Sequence, residues 1–396
     1  MTTSAPIRIF VFSPYCLLRP TTNRIFDMRL CDSFAGHGVP VTIVYPYAYM
    51  SVNISSRDIP KSYGLEHSVN TRVLFTPLRE KSSKYTFLFW MMIGFSFSTL
   101  RLFVSSLFSQ KQTVLFSRDP KLLVPALWFK RIFGKLFRAK IIFMAAEVKD
   151  TALYRKVVEE SDAVFAGVST TRDAIRKIAN VPEEKFILSL APVPVYKNDI
   201  SKSEARKIIS YDSDQPLIVY TGKLGLDVLE VKYIFDAALL LPDYQFLFTG
   251  GRPKVVDEVK KYCERKGIRN VIFTGFFDDS TFVRNYQLAA DVLVSYYTSN
   301  DHMIEFNYPQ KVNEYLSTRN PVVTPDFPAT RDVLNERNVI FVEPDNPVSL
   351  AAGLRKAVED KAKAQNIAEQ AWKDVQNLSF ESRTRELLLF IQSLKN

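Results

Sequence analysis

Short apolar runs bounded by turn residues alternate with longer amphipathic stretches along the whole chain, and this alternation limits the fold more than any other feature. Runs at Ile7–Phe12, 41–45, 113–116, 141–144 and Ala163–Ala166 read as strands, with helical patterns such as 24–35 and 122–133 between them. After a polar, proline-bearing stretch at 191–215 the alternation resumes, with strands at 217–220, Gln245–Thr249, 271–273, 292–295 and 321–324. Strands and helices in alternation imply parallel sheets covered by helices on both faces. A chain of 396 residues exceeds one comfortable core, and the pattern runs twice. The sequence therefore predicts an α/β protein of two Rossmann-like, doubly wound domains, residues 1–195 and 210–379, joined by the 191–215 stretch. Residues 380–396 begin with a helical pattern and are expected to pack back on the first domain. Two such sheets facing a central cleft would turn their strand carboxyl ends toward it, where open α/β sheets bind ligands.

Composition narrows the function. The chain is 47% hydrophobic and 24% charged, which suits a folded protein, and its net charge is +10. The basic residues read as spread along the chain, without zinc-finger spacing or an RNP-like aromatic motif, so nucleic acid is set aside as a partner. An anionic membrane surface or a phosphorylated substrate stays compatible with the charge. Cys16, Cys31 and Cys263 lie far apart and read as reduced core residues. His37, His67 and His302 form no cluster, so no metal centre is expected. The first residues lack the order of a secretory signal, and the expected location is cytoplasmic, at the membrane face.

One segment, 85–108, is unusually apolar. It reads either as a buried helix of the first domain or as a helix that dips into a bilayer face, with the basic run 130–140 (KRIFGKLFRAK) holding anionic lipid. A full span needs about 20 apolar residues, and Arg101, Thr99 and several serines interrupt this run.

The most informative stretch for chemistry is 308–332, YPQKVNEYLSTRNPVVTPDFPATRD. Pro309 opens a predicted helix that stops near Arg319-Asn320 and is followed by a buried strand at 321–324. Lys311 and Glu314, three residues apart, share one face of that helix. A cation for a diphosphate and a carboxylate for ribose hydroxyls on one face would make a nucleotide grip, aided by the helix amino end. A surface Lys–Glu pair of slight energetic worth has the same spacing.

The segment resembles the donor-binding region of GT-B glycosyltransferases, in particular the glycosyltransferase family 4-like (group 1) type. Members there read Pro-x-Lys-x-x-Glu-Tyr-Leu, a short turn, then Pro-Val-Val; this chain supplies Pro309, Lys311, Glu314, Tyr315, Leu316, Pro321, Val322 and Val323. The resemblance implies that Glu314 holds the donor ribose and that Lys311 lies near the diphosphate or donor sugar. The family's second glutamate, eight positions earlier, falls on Phe306, with Glu305 one step away. A second match opens the C-terminal domain at 218–223, where a strand ends in Gly222-Lys223. Glycine there lets backbone approach a phosphate while the lysine neutralises it, although a strand-end lysine also sits naturally in solvent. Gly250, in Phe248-Thr249-Gly250-Gly251, resembles the family's glycine turn beside the nucleotide base. In the first domain Asn23-Arg24 stands where members carry a Gly-Gly loop, and Ser117-Arg118-Asp119-Pro120 resembles the Thr-Arg-Asp turn of some members; as an ordinary turn, Asp119 would cap the next helix and Arg118 pair with it. Ala146 replaces the family's histidine in a Phe-Glu-Ala-His-Glu stretch, while Glu147 remains.

The resemblance thus implies a glycosyltransferase that moves a sugar from a nucleotide-diphosphate sugar to a glycan or lipid-linked acceptor, with retention. No metal or other cofactor is expected, the sequence being read as lacking an Asp-x-Asp motif. Lys223, Lys311 and Arg24 would neutralise the diphosphate, and Arg24 and Glu147 would be the catalytic side chains. Asn23, Arg118 and Glu305 would line the acceptor side or the cleft. The alternative is a catalytically silent GT-B protein that binds nucleotide or scaffolds a glycan-assembly complex, a reading to which Ala146 and Phe306 point.

Overall fold

The computed structural model describes residues 6–15, 17, 22–49, 63, 65–79, 84–188, 200–277, 280–300, 302–306 and 308–394. The chain divides into two compact units, Met1–Pro192 with Phe380–Asn396, and Val193–Ser379.

The first unit is built on a parallel sheet of seven strands: β1 (Ile7–Phe12), β2 (Val41–Tyr49), β3 (Asn70–Arg79), β4 (Gln112–Ser117), β5 (Lys140–Ala145), β6 (Ala163–Ala166) and β7 (Phe186–Leu188). Their order in space is β3-β2-β1-β4-β5-β6-β7, so the winding reverses between β1 and β4. Helices cover both faces, which is why the central strands are almost continuously apolar. On one face Ile7, Ile9 and Val11 of β1 pack with Phe26, Leu30 and Phe34 of helix Thr22–Gly36 and with Leu387, Leu388 and Ile391 of helix Phe380–Ser393. The Ser33 hydroxyl donates to the Phe380 carbonyl at 2.9 Å and meets Thr384 Oγ1 at 2.7 Å, tying the terminal helix to this unit.

On the opposite face Phe12, Leu115, Ile141 and Phe143 meet helices Lys84–Leu107, Pro120–Phe133 and Ala152–Glu160. Helix Lys84–Leu107 sends Met91, Phe95, Leu102 and Phe103 into this core, as expected of a buried helix, but Phe89, Ile93, Phe97, Leu100 and Val104 point to solvent. By length and composition its Leu88–Leu107 portion could cross a membrane, although a third of that window is buried in the protein.

The second unit carries a parallel sheet of six strands: β8 (Leu217–Thr221), β9 (Gln245–Thr249), β10 (Val271–Gly275), β11 (Val292–Val294), β12 (Val322–Pro325) and β13 (Ile340–Val342). Its order is β10-β9-β8-β11-β12-β13, again reversing beside the unit's first strand, between β8 and β11. Such a reversal leaves a crevice beyond the strand carboxyl ends, because the flanking crossovers run to opposite sides.

Several elements depart from the sequence expectation. Edge strand β3 carries Arg72 and Pro77, and a proline is tolerated where one ladder is missing. Strand β2 runs on to Tyr49 by pairing with β3 after β1 has ended at Phe12. Strands β7 and β13 have three residues each, too few to show a period. The expected 191–215 connection contains helix Lys202–Ile208, opened by a capping box in which Ser201 Oγ accepts from Glu204 N and Glu204 Oε2 accepts from Ser201 N. Its Arg206 and Lys202 bind Asp291, which also accepts from the Leu217 amide at 2.8 Å, so this helix belongs to the second unit. Cys31 and Cys263 are buried free thiols, whereas Cys16 lies outside the described residues.

Candidate functional site

The strongest convergence lies at the carboxyl end of β8. All five strand residues are buried, and Gly222 follows with φ +155°; Gly250, after β9, has φ +140°. The Gly222 amide donates to the Thr249 carbonyl at 3.0 Å and the Gly250 amide to Gly275 at 2.8 Å, so the strand ends stay in close register past the ladder. A Cβ on Gly250 would lie 2.0 Å from the Gly222 carbonyl oxygen. Only glycine fits there; Gly250 is buried beneath this contact, while Gly222 is exposed.

Helix Gln310–Leu316 is locked onto this turn. It is shorter than the sequence suggested, because Ser317–Asn320 form a turn with Arg319 at φ +61°. The Tyr315 hydroxyl accepts from the Thr221 amide at 2.8 Å and donates to the Thr221 carbonyl at 3.1 Å. Gln287 Nε2 reaches Thr221 Oγ1 at 3.2 Å and Glu314 Oε2 at 3.5 Å. Buried Arg284 donates to the carbonyls of Glu314 at 2.8 Å and Ser317 at 3.0 Å, satisfying the otherwise open carboxyl end of the helix.

These locks deliver Lys311. Its Nζ lies 4.4 Å from the Tyr220 ring centroid and 4.6 Å from that of Tyr297, and 3.6 Å from where a Cβ on Gly222 would stand. Burial lowers its pKa to about 8, against the opposing charges of Glu230 and then Glu314. Among the described residues no carboxylate forms a direct ion pair with it. The site is a half-buried cation held between aromatic faces and aimed at a glycine turn, a combination suited to an anion. Glu314 comes to the same place, as the sequence predicted.

Lys223 does not join it as an open cation. Its side chain is 73% exposed and pairs with Asp227 at 3.0 Å, so the solvent reading of this strand-end lysine describes its position. Glu305 is exposed at the end of the short His302–Glu305 turn.

The first unit has a smaller polar cluster at its own reversal point. Ser13 follows β1, and its hydroxyl donates to Asp27 Oδ2 at 2.8 Å. Arg118, directly after β4, lies 3.8 Å from Asp27 Oδ1 and 4.9 Å from the Phe26 ring centroid. The sequence suggested Asp119 as its partner; Asp119 does cap the next helix, accepting from the Lys121 amide at 2.9 Å. Burial pushes the Asp27 carboxyl up, opposed by Arg118 and Ser13. Arg24 lies half-buried in the first turn of the same helix, and the side chain of Asn23 lies outside the described residues. Glu147 is half-exposed in the loop after β5 and forms an ion pair with Lys149, while its carbonyl accepts from the Tyr154 hydroxyl at 2.9 Å. It is not at a helix start: the next helix begins at Ala152 and is capped by Thr151.

Tyr220, Tyr297, Arg284, Gln287, Glu230 and Asp27 were not found from the sequence. The Asp-x-Asp spacing read as absent is present at Asp212-Ser213-Asp214, with both carboxylates exposed before β8, at the opposite end of the strand from Gly222. Among the described residues no three or more His, Cys, Asp or Glu side chains are grouped to hold a metal.

Comparison with known proteins bears on the fold and on the second unit. Residues 215–360 match the profile of the family "Glycosyl transferases group 1". An uncharacterised glycosyltransferase of Methanocaldococcus jannaschii is 24% identical over 225 residues, covering 54% of this chain and 56% of the relative. TuaH of Bacillus subtilis, assigned as a teichuronic acid biosynthesis glycosyltransferase, is 24% identical over 260 residues, covering 64% of this chain and 60% of the relative. The chain thus spans less than two thirds of the length of these relatives. Among solved structures, Anabaena HepE in complex with UDP superposes with a TM-score of 0.72 at 13% identity over 98% of this chain and 100% of that one. Sucrose-phosphate synthase of Thermosynechococcus elongatus does so with a TM-score of 0.72 at 15% identity over 98% and 99%. The chain has the GT-B fold, and its residues 215–360 are similar to the glycosyl transferases group 1 family.

Proposed function

We propose that the protein is a glycosyltransferase that moves a sugar from a nucleotide-diphosphate sugar to a glycan or lipid-linked acceptor at the cytoplasmic face of a membrane. The observation that carries this reading is the meeting of the Gly222 turn, the Lys311 ammonium and Glu314 at the carboxyl end of β8, inside the segment that matches the family. Bound UDP in the HepE structure makes uracil the first base to try.

In this mechanism the backbone at Gly222 and Gly250 approaches the diphosphate, and Lys311 neutralises the charge that builds on it as the glycosidic bond breaks. The ammonium is already positioned and partly desolvated, so little reorganisation is needed when that charge develops. Glu314 accepts hydrogen bonds from the ribose hydroxyls. Lys223 contributes by exchanging Asp227 for a phosphate oxygen. In the first unit Arg24 and Glu147 serve as the catalytic side chains, and Asn23 and Arg118 offer polar contacts to the acceptor; in the second unit Glu305 offers another. The acceptor proton passes to the leaving phosphate, with retention at the anomeric carbon. No metal is required in this scheme, so chelator should leave the rate unchanged.

Thermal unfolding with UDP, GDP, ADP and CMP tests the donor site. At about 100 times its dissociation constant a nucleotide stabilises by about 2.7 kcal/mol, and this gain should vanish in Lys311→Ala and Glu314→Ala. If no nucleotide shifts the parent protein, the donor-site reading fails. Ala146 and Phe306 favour one other reading, nucleotide binding without transfer. A nucleotide shift with neither sugar transfer nor slow donor hydrolysis across a sugar panel would select it.

A further inference from the structure

The net charge, read from the sequence as spread out, is concentrated. Between Lys84 and Lys140 there are ten lysines and arginines against a single acid, Asp119, a net of +9. The other residues hold 42 basic and 41 acidic groups (52 − 10 and 42 − 1) and are nearly neutral. The same segment exposes the largest apolar side chains of the first unit. On helix Lys84–Leu107 the exposed residues Phe89, Ile93, Phe97, Leu100 and Val104 recur every three or four positions. At about 100° per residue they fall on one stripe, roughly a quarter of the helix surface and opposite the core-facing residues. Phe97 is 72% exposed.

The neighbouring helix Pro120–Phe133 extends this surface with Trp128, 63% exposed, and Ile132, and the turn after it adds Leu136. The two helices are joined through rings: Phe103 stacks on Phe133 at 4.5 Å and on Phe137 at 6.0 Å. Arg131, Lys135 and Arg138 are exposed within this apolar ground, and Arg101 beside it.

We propose that the outward faces of helices Lys84–Leu107 and Pro120–Phe133 form a docking surface for an anionic lipid bilayer. Charge complementarity selects this occupant: the apolar stripe enters the acyl boundary while the arginines and lysines meet the headgroup phosphates, and Trp128 suits the interface between them. The helix lies on the bilayer and does not cross it, because Met91, Phe95, Leu102 and Phe103 belong to the protein core and a span would strip them from it. The inference stands on this surface alone and is independent of the donor site.

Flotation of the full chain with vesicles tests it, using phosphatidylcholine alone and an equal mixture of phosphatidylcholine and phosphatidylglycerol. The protein should float with the anionic vesicles, be released by added salt, and bind neutral vesicles far more weakly. Phe97→Ser with Trp128→Ser, and separately Arg131→Glu with Lys135→Glu, should each weaken anionic binding at least tenfold without moving thermal unfolding. These side chains are exposed, so the fold does not depend on them. Failure to float, equal binding to both vesicles, or unchanged binding by the two variants overturns the proposal. So does a homodimer in solution that the Phe97→Ser, Trp128→Ser protein loses, since a second copy would then cover the face.

Discussion

Replacing Lys311 with methionine separates what this residue does for the ligand from what it costs the fold. The variant keeps most of the side-chain length and loses the charge. Since burial lowers the Lys311 pKa from 10.5 to about 8, keeping it protonated at neutral pH costs up to about 3 kcal/mol. The ring faces of Tyr220 and Tyr297 return about 1–2 kcal/mol of that, and retained solvent contact makes the first figure an upper bound. Lys311→Met should therefore stabilise the ligand-free protein by about 1–2 kcal/mol, a rise in Tm of about 2–6 °C for a cooperative unit of this size, and abolish the stabilisation given by nucleotide. The pH dependence has a definite sign. Between about 8 and 10.5 the unfolded chain holds the Lys311 proton and the folded chain does not, so ligand-free stability contributed by this group rises with pH through that window. Nucleotide affinity moves the other way, falling as the ammonium is lost above about 8. Thermal unfolding of parent and variant across this range, with and without UDP, reads both trends. A variant less stable than the parent without ligand, or one that keeps the nucleotide shift, refutes the account of Lys311 as a strained cation held for an anion.

Gly250→Ala places a methyl against the Gly222 carbonyl at a backbone angle that alanine avoids; denaturant unfolding should show a loss of more than about 2 kcal/mol, with the nucleotide shift gone. Glu314→Gln should leave stability within about 0.5 kcal/mol, while titration calorimetry shows nucleotide affinity reduced about 10–100-fold by loss of a charged acceptor. Tyr315→Phe removes the hydroxyl that serves both the amide and the carbonyl of Thr221, costing about 1–3 kcal/mol in denaturant unfolding and lowering nucleotide affinity less than Glu314→Gln does.

The sheets were legible because each buried strand is a short apolar run, and the run pattern survives without knowledge of neighbours. The edge strand β3 and the three-residue strands β7 and β13 were not, since their identity comes from pairing and not from composition. Lys311 and Glu314 could be placed on one face because three-residue spacing on a helix is local geometry. What makes Lys311 unusual comes from elsewhere: Tyr220 reads as one more apolar strand residue, and Tyr297 lies just beyond β11. Only the packed sheet puts both rings around one amine. Arg284 and Gln287 read as ordinary helix polars until the fold sets them beneath helix Gln310–Leu316. Lys223 differs for the reverse reason, a local partner: Asp227, four residues on, pairs with it.

The terminal helix Phe380–Ser393 has a consequence for the order in which the protein can be made. The second unit, Val193–Ser379, is continuous in sequence, whereas the first closes one face of its core with residues synthesised after that unit is complete. During translation the first unit lacks the cover of this helix while the second unit folds. A chain ended at residue 379 should keep the unfolding transition of the second unit and lose that of the first. Quality control acting on a nascent chain of this kind would meet the half that was synthesised first in its unfinished form.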